Sequence, residues 1–314
     1  MRQEDLDSRV RSHLFTQLAQ TEKAGLTVND SIQVIAKSAC ASLQQRLELF
    51  REQLSAGCEI AQAGMTAGLF LPWEARLIRA AEVSGKLADS YNGLARRYAN
   101  RARRYGNLKR GMTLPLALFV LAVLVAPLPA LLLGAIGIDR YLLNTTGRLL
   151  LFFGSLYLLS WSWRQLGATG ADNALFRLLL RTPLLGSLIR RQQQYNYLSS
   201  LALLMDAGVP AFDALGVAAV SVSHPALRKQ FGRAEKAVRN GSSVTDALDS
   251  SGVLPDESAK NLIGAGEFSG RLSEMLQHAA GQLDDQLELQ FSVLADWAPK
   301  FAYFAVVVVL VLGR

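Results

Sequence analysis

The stretch Gly111–Ile138, GMTLPLALFVLAVLVAPLPALLLGAIGI, holds 28 consecutive residues without a charge, between Arg110 and Asp139. A helix that crosses a bilayer needs only about 20 mostly apolar residues, so this run predicts a membrane span. Pro115, Pro127 and Pro129 would break a helix in water, whereas in a membrane neighbouring helices satisfy the backbone groups they free. Directly before the run, Arg96, Arg97, Arg101, Arg103, Arg104, Lys109 and Arg110 supply seven positive charges with no acid among them. Short segments rich in Lys and Arg stay on the cytoplasmic side. Everything before Gly111 is therefore expected there, with the basic cluster as a topology signal in contact with anionic lipid headgroups.

Half of the 314 residues are hydrophobic and the mean hydropathy is +0.19. This is high for a soluble protein and low for a pure bundle of spans, so soluble and membrane parts are mixed. A net charge of +7 could suit nucleic acid, but the basic residues gather beside the apolar run, which argues for lipid and against nucleic acid. The N-terminus, MRQEDLDSRV, is polar and acidic, and no cleaved signal peptide is expected. Cys40 and Cys58 match no zinc or redox spacing and are expected to stay reduced. His13, His224 and His278 are far apart in sequence, which argues against a metal site. Gly85-Lys86 is followed by Leu87 and lacks the upstream glycine of a P-loop. With no HExxH, G-x-S-x-G or dinucleotide fingerprint either, no enzyme, metal or cofactor is expected.

Up to about Tyr105 the chain reads as short helices. The first (Leu14, Phe15, Leu18, Ala19) ends at Ala24-Gly25, where glycine suits a left-handed cap. A second follows Thr27, with Asp30 in its first turn. In the third, Leu43, Leu47, Phe50 and Leu54 fall at i, i+4, i+7 and i+11, one face of a 3.6-residue helix, and Gly57 stops it. A fourth short piece runs to Gly64. A fifth (Leu77, Ile78, Ala81) breaks at Glu82-Val83-Ser84-Gly85, and a sixth runs from Lys86 through the arginines. Beyond Gly147, Leu149 to Trp163 is uncharged. A snorkelling Arg148 and the pair Trp161 and Trp163 make it a second span. Arg177, Arg181, Arg190 and Arg191 then return the chain to the same side.

The second half repeats the first. Ala24-Gly25-Leu26 becomes Ala207-Gly208-Val209, and Asp30 becomes Asp213. Leu43, Leu47, Phe50 and Leu54 become Leu227, Phe231, Ala234 and Val238. Gly57 matches Gly241, Gly68 matches Gly252, and Glu82-Val83-Ser84-Gly85 becomes Glu267-Phe268-Ser269-Gly270. Four blocks in order read as a duplicated domain. The reading is all-α: two repeated cytoplasmic six-helix modules, 1–110 and 172–297, plus about three transmembrane helices at 111–138, 147–168 and 298–314. The last rests on an apolar tail, Phe301 to Gly313, whose charged ends must snorkel.

A helical module with an AGL or AGV turn near its start, a glycine in the middle and a G/A-E-x-S-G break resembles the repeated domain of the F-type platform proteins. These serve type II secretion systems and type IV pilus assembly machines. The residues that carry the resemblance are Gly25, Gly57, Glu82 and Gly85, then Gly208, Gly241, Glu267 and Gly270, with their motif neighbours. Two copies around a two-span hairpin cover nearly the whole chain. Members of that family usually carry a longer leader before the first module and more residues beyond the last span, and contacts made by those extensions are not carried over to this chain. The resemblance implies a non-enzymatic protein of the bacterial inner membrane. It would couple a cytoplasmic hexameric ATPase to extraction of a pilin or pseudopilin, alongside other inner-membrane assembly subunits and further copies of itself. The eight motif residues are then structural, with partner contact as the sharper reading. For Glu82 and Glu267 the plain expectation is that each carboxylate accepts N–H groups opening the sixth helix; a divalent cation is the sharper alternative. The competing function is a transporter or permease subunit, against which the charge-free first span speaks.

Overall fold

The computed structural model describes residues 6–125 and 185–312, with scattered residues between 128 and 158. Among them the chain is all-helical and no strand occurs. It divides into two compact units, one of residues 1–102 and 182–287, the other of residues 103–181 and 288–314. The first half carries α1 (Ser8–Lys23), α2 (Val28–Ser38), α3 (Ala41–Ser55), α4 (Ile60–Thr66), α5 (Pro72–Ser84) and α6 (Leu87–Val125). The second carries α7 (Leu185–Asp206), α8 (Ala211–Val220), α9 (Pro225–Phe231), α10 (Arg233–Arg239), α11 (Val244–Ser250), α12 (Glu257–Phe268) and α13 (Leu272–Leu312).

The starts and stops follow local chemistry. The Thr27 hydroxyl caps α2 by accepting the Asp30 N–H, and Ser243 does the same for α11 through the Asp246 N–H. Pro72 opens α5, where its missing N–H costs nothing. Most of the stops are glycines in the left-handed region. Gly25, Gly57, Gly68 and Gly85 have positive φ, as do Gly208, Gly241, Gly252 and Gly270, and no other described residue does. These are the glycines the sequence pairs across its halves. At the first, the Leu26 N–H reaches the Thr21 carbonyl (3.1 Å) and the Gly25 N–H that of Glu22 (3.0 Å), the double bond that closes a helix end.

Packing follows the same pairing. Leu43, Leu47 and Phe50 are buried on α3, and Leu227, Phe231 and Ala234 are buried at the corresponding positions. There the single helix expected from the first half divides at Gly232 into α9 and α10. Phe15, Phe70 and Tyr98 stack near 6 Å in one core, and Tyr197 meets Phe231 edge-on in the other. Each such side chain contributes roughly 1.5–3 kcal/mol by leaving water.

Gly208 has φ +89° with open space where a Cβ would sit. Gly208→Val therefore isolates the backbone term. It should cost about 1–3 kcal/mol, read as a lower urea midpoint of the full chain; an unchanged midpoint would count against the turn as a stability element.

The spans expected at 111–138, 147–168 and 298–314 lie wholly or partly outside the described residues. Among the described residues no helix is long and apolar enough to cross a membrane.

Candidate functional site

The two E-x-S-G turns end α5 and α12 with the same backbone. The Lys86 N–H bonds the Ala81 carbonyl at 2.8 Å, and the Arg271 N–H bonds that of Gly266 at 2.8 Å. Their glutamates do different work. Glu267 reaches across to the start of α11, where its carboxylate accepts the N–H groups of Val244 (2.6 Å) and Thr245 (2.9 Å) and the Thr245 hydroxyl (2.6 Å). It clamps one short helix to another. For Glu267 the expectation that the carboxylate holds the N–H groups opening the following helix is thus corrected: the N-terminus it reaches belongs to an earlier helix.

Glu82 has no such bond among the described residues. At the places of Val244 and Thr245 stand Ile60 and Ala61, and the hydroxyl donor is gone. Burial raises the Glu82 carboxyl above its ordinary value, and the negative charges of Glu59 and Glu22 add to this against the pull of Arg79. Its folded-state proton affinity exceeds the unfolded one, so the stability it contributes falls as pH rises through the carboxylate range. Glu267→Ala should therefore cost about 1–3 kcal/mol, while Glu82→Gln should stay within about 0.5 kcal/mol of wild type and flatten that pH slope. Urea midpoints across the acid range check both; equal losses at the two positions would sink the distinction. The second residue of each motif, Val83 and Phe268, is 86% and 97% exposed.

A second constellation went unseen in the sequence. Glu74, at the third position of α5, is fully buried. Its carboxylate accepts the Leu71 N–H at 2.7 Å, an Arg11 guanidinium N–H at 2.9 Å, and the Tyr98 hydroxyl. Burial pushes the Glu74 carboxyl up, and Arg11, then the Leu71 N–H, then Tyr98, pull it back. The available signal was Pro72 with an acid two residues on, the pattern of a capped helix start.

Beside it lies Arg97. The sequence groups this residue with a lipid-facing cluster, but the structure buries it. Its guanidinium stacks 4.5 Å over Trp73 and donates to the hydroxyls of Ser199 (2.8 Å) and Ser200 (2.6 Å) on α7. Lys86 reaches the Asp206 carbonyl at 2.7 Å, and Asn100 donates to the Asp284 carboxylate. The two halves thus meet through polar side chains of α6, and of Lys86 just before it, inside one compact unit. Of the other cluster residues, Arg104 is buried, while Arg96, Arg101 and Arg103 are exposed. The side chains of Lys109 and Arg110 lie outside the described residues. Among the described residues no group of His, Cys, Asp or Glu could hold a metal ion.

The family model for type II secretion system protein F matches residues 14–134 and again 197–313. The type II secretion system protein F of Aeromonas hydrophila is 26% identical over 304 residues, covering 88% of this chain and 76% of the relative. The type 4 fimbrial assembly protein PilC of Pseudomonas putida is 27% identical over 295 residues, covering 86% and 73%. The type II secretion system protein F of Pseudomonas aeruginosa reaches 34% identity over a shorter stretch, covering 43% of this chain and 34% of its own length.

Proposed function

We propose a function from one premise: the chain belongs to the type II secretion system protein F family. It acts as an inner-membrane platform of a secretion or type IV pilus machine, coupling a cytoplasmic assembly ATPase to pilin or pseudopilin extraction and filament assembly. The observation that carries this reading is the doubled pattern: the family model matches both halves, and the four left-handed glycines of one half recur in the other. The two helical modules then lie on the cytoplasmic side. The apolar runs 111–138, 147–168 and 298–314 anchor them, and the protein has no catalytic role of its own. The exposed apolar residues at equivalent turns, Val83 and Phe268, support partner contact by those turns.

Mild extraction of the full chain from membranes tests this. An assembly ATPase and pilin-like subunits should come with it, and deletion should abolish secretion or piliation while pilin persists. If a periplasmic solute-binding protein comes instead, the reading gives way to a transporter subunit.

A further inference from the structure

Tyr105 on α6 and Phe291 on α13 meet edge-on, with ring centroids 6.0 Å apart, inside the unit of residues 103–181 and 288–314. Under the platform reading both helices run from the cytoplasmic side into the bilayer, so this contact sets their heights against each other. Six residues beyond Tyr105 the charge-free run of α6 begins at Gly111, and six residues beyond Phe291 stands Trp297. At about 1.5 Å per residue both lie roughly 9 Å past the contact. The membrane boundary that Gly111 marks on α6 therefore crosses α13 at Trp297, a turn before the uncharged tail begins at Phe301.

The residues at that level fit a boundary. Trp297 is half-exposed, and an indole settles where hydrocarbon gives way to headgroups. Lys300, one turn deeper, folds back: its Nζ lies 5.0 Å over the Trp297 ring, the direction in which a snorkelling lysine reaches water and lipid phosphate. Asp296 is exposed directly before Trp297, so a boundary nearer the cytoplasm would strip water from a carboxylate. Pro299 has no N–H for the Ala295 carbonyl, a group that the hydrated headgroup layer satisfies and hydrocarbon does not. Length agrees as well. Phe301 to Gly313 is 13 residues, short of the roughly 17 that a span needs at least, whereas Trp297 to Gly313 is 17.

We propose that Trp297 and Lys300 form a site for lipid headgroups, with the ammonium on a lipid phosphate and the indole beneath it, and that this pair fixes the depth of α13. Val293 and Leu289 precede Trp297 by one and two turns on the same face, each more than half exposed. They then lie about 6 Å and about 12 Å outside the boundary, Val293 in the headgroup layer and Leu289 in water. The site rests on the platform reading, which supplies the span that it anchors.

The test uses the full chain without Cys40 and Cys58, in vesicles of phosphatidylethanolamine and phosphatidylglycerol, with a nitroxide on L289C, V293C or A305C. Relative accessibility to oxygen and to a water-soluble nickel chelate reads the depth of each label. L289C should read as water, V293C as headgroup layer and A305C as hydrocarbon. W297A/K300Q should raise nickel accessibility at V293C several-fold, and W297Y/K300R, which keeps a belt aromatic and a cation, should leave it unchanged. Exchanging phosphatidylglycerol for phosphatidylcholine keeps the phosphates and should leave the depths unchanged; a loss there would overturn the assignment to phosphate. V293C as wet as L289C while A305C stays in hydrocarbon, or no response to W297A/K300Q, would overturn the site alone. A305C in water would overturn the span itself and the site with it. The depth profile of the three labels stands even if W297A/K300Q fails to fold.

Discussion

Glu74→Gln lowers the stability of the full chain by about 3–5 kcal/mol, the range seen when one partner of a buried ion pair is removed. The carboxylate sits where only donors converge: the Arg11 guanidinium, the Leu71 N–H and the Tyr98 hydroxyl. An amide keeps the shape but brings its own N–H groups against those donors and takes from the buried Arg11 guanidinium the carboxylate it meets at 2.9 Å. Arg11 also donates to the Leu69 carbonyl at 3.3 Å, so α1, the loop before α5 and α6 loosen together. Urea unfolding checks this; a loss below about 1 kcal/mol, the range of an exposed pair, would mean that the network is not what holds α5 in place.

Arg97→Ala is expected to cost about 2–4 kcal/mol, from two hydrogen bonds made by a charged donor and a desolvated stack on an aromatic face. The loss is local to the junction between the halves. Lysine should not restore it, because an ammonium cannot lie flat on Trp73 while donating in a fork to Ser199 and Ser200. The readout is the rate of disulfide formation in G93C/L203C, in a chain without Cys40 and Cys58. A Cβ on Gly93 would lie 2.3 Å from the Leu203 side chain, so that pair reports the approach of α6 to α7. Arg97→Ala should slow the reaction several-fold, and an unchanged rate would relieve Arg97 of its role at the junction.

How much of this was legible in the sequence varies with the range of the interaction. Most of the stops were, because a left-handed cap needs glycine and little else tolerates it; among the described residues all eight positive-φ positions are glycines that recur between the halves. The buried face of α3 was, because periodicity is local. The partner of Glu267 was not, since nothing in the chain near residue 267 says that the start of α11 lies within reach. Arg97 was hidden by its neighbours. Read as one block, the arginines are a charge run; read around a helix, Arg97 lies beside buried Leu94 and Tyr98, while Arg96, Arg101 and Arg103 face out.

The Glu267 clamp also governs timing. An isolated helix as short as α11, seven residues, does not persist in water, because nucleation outweighs the few bonds it closes. Its first two amides after the cap are held by a side chain on α12, so α11 stays formed only while the end of α12 does. The two should open as one cooperative segment, their amide protons exchanging at a shared rate. Removing the carboxylate would let α11 flicker on its own while the rest of the half remains protected.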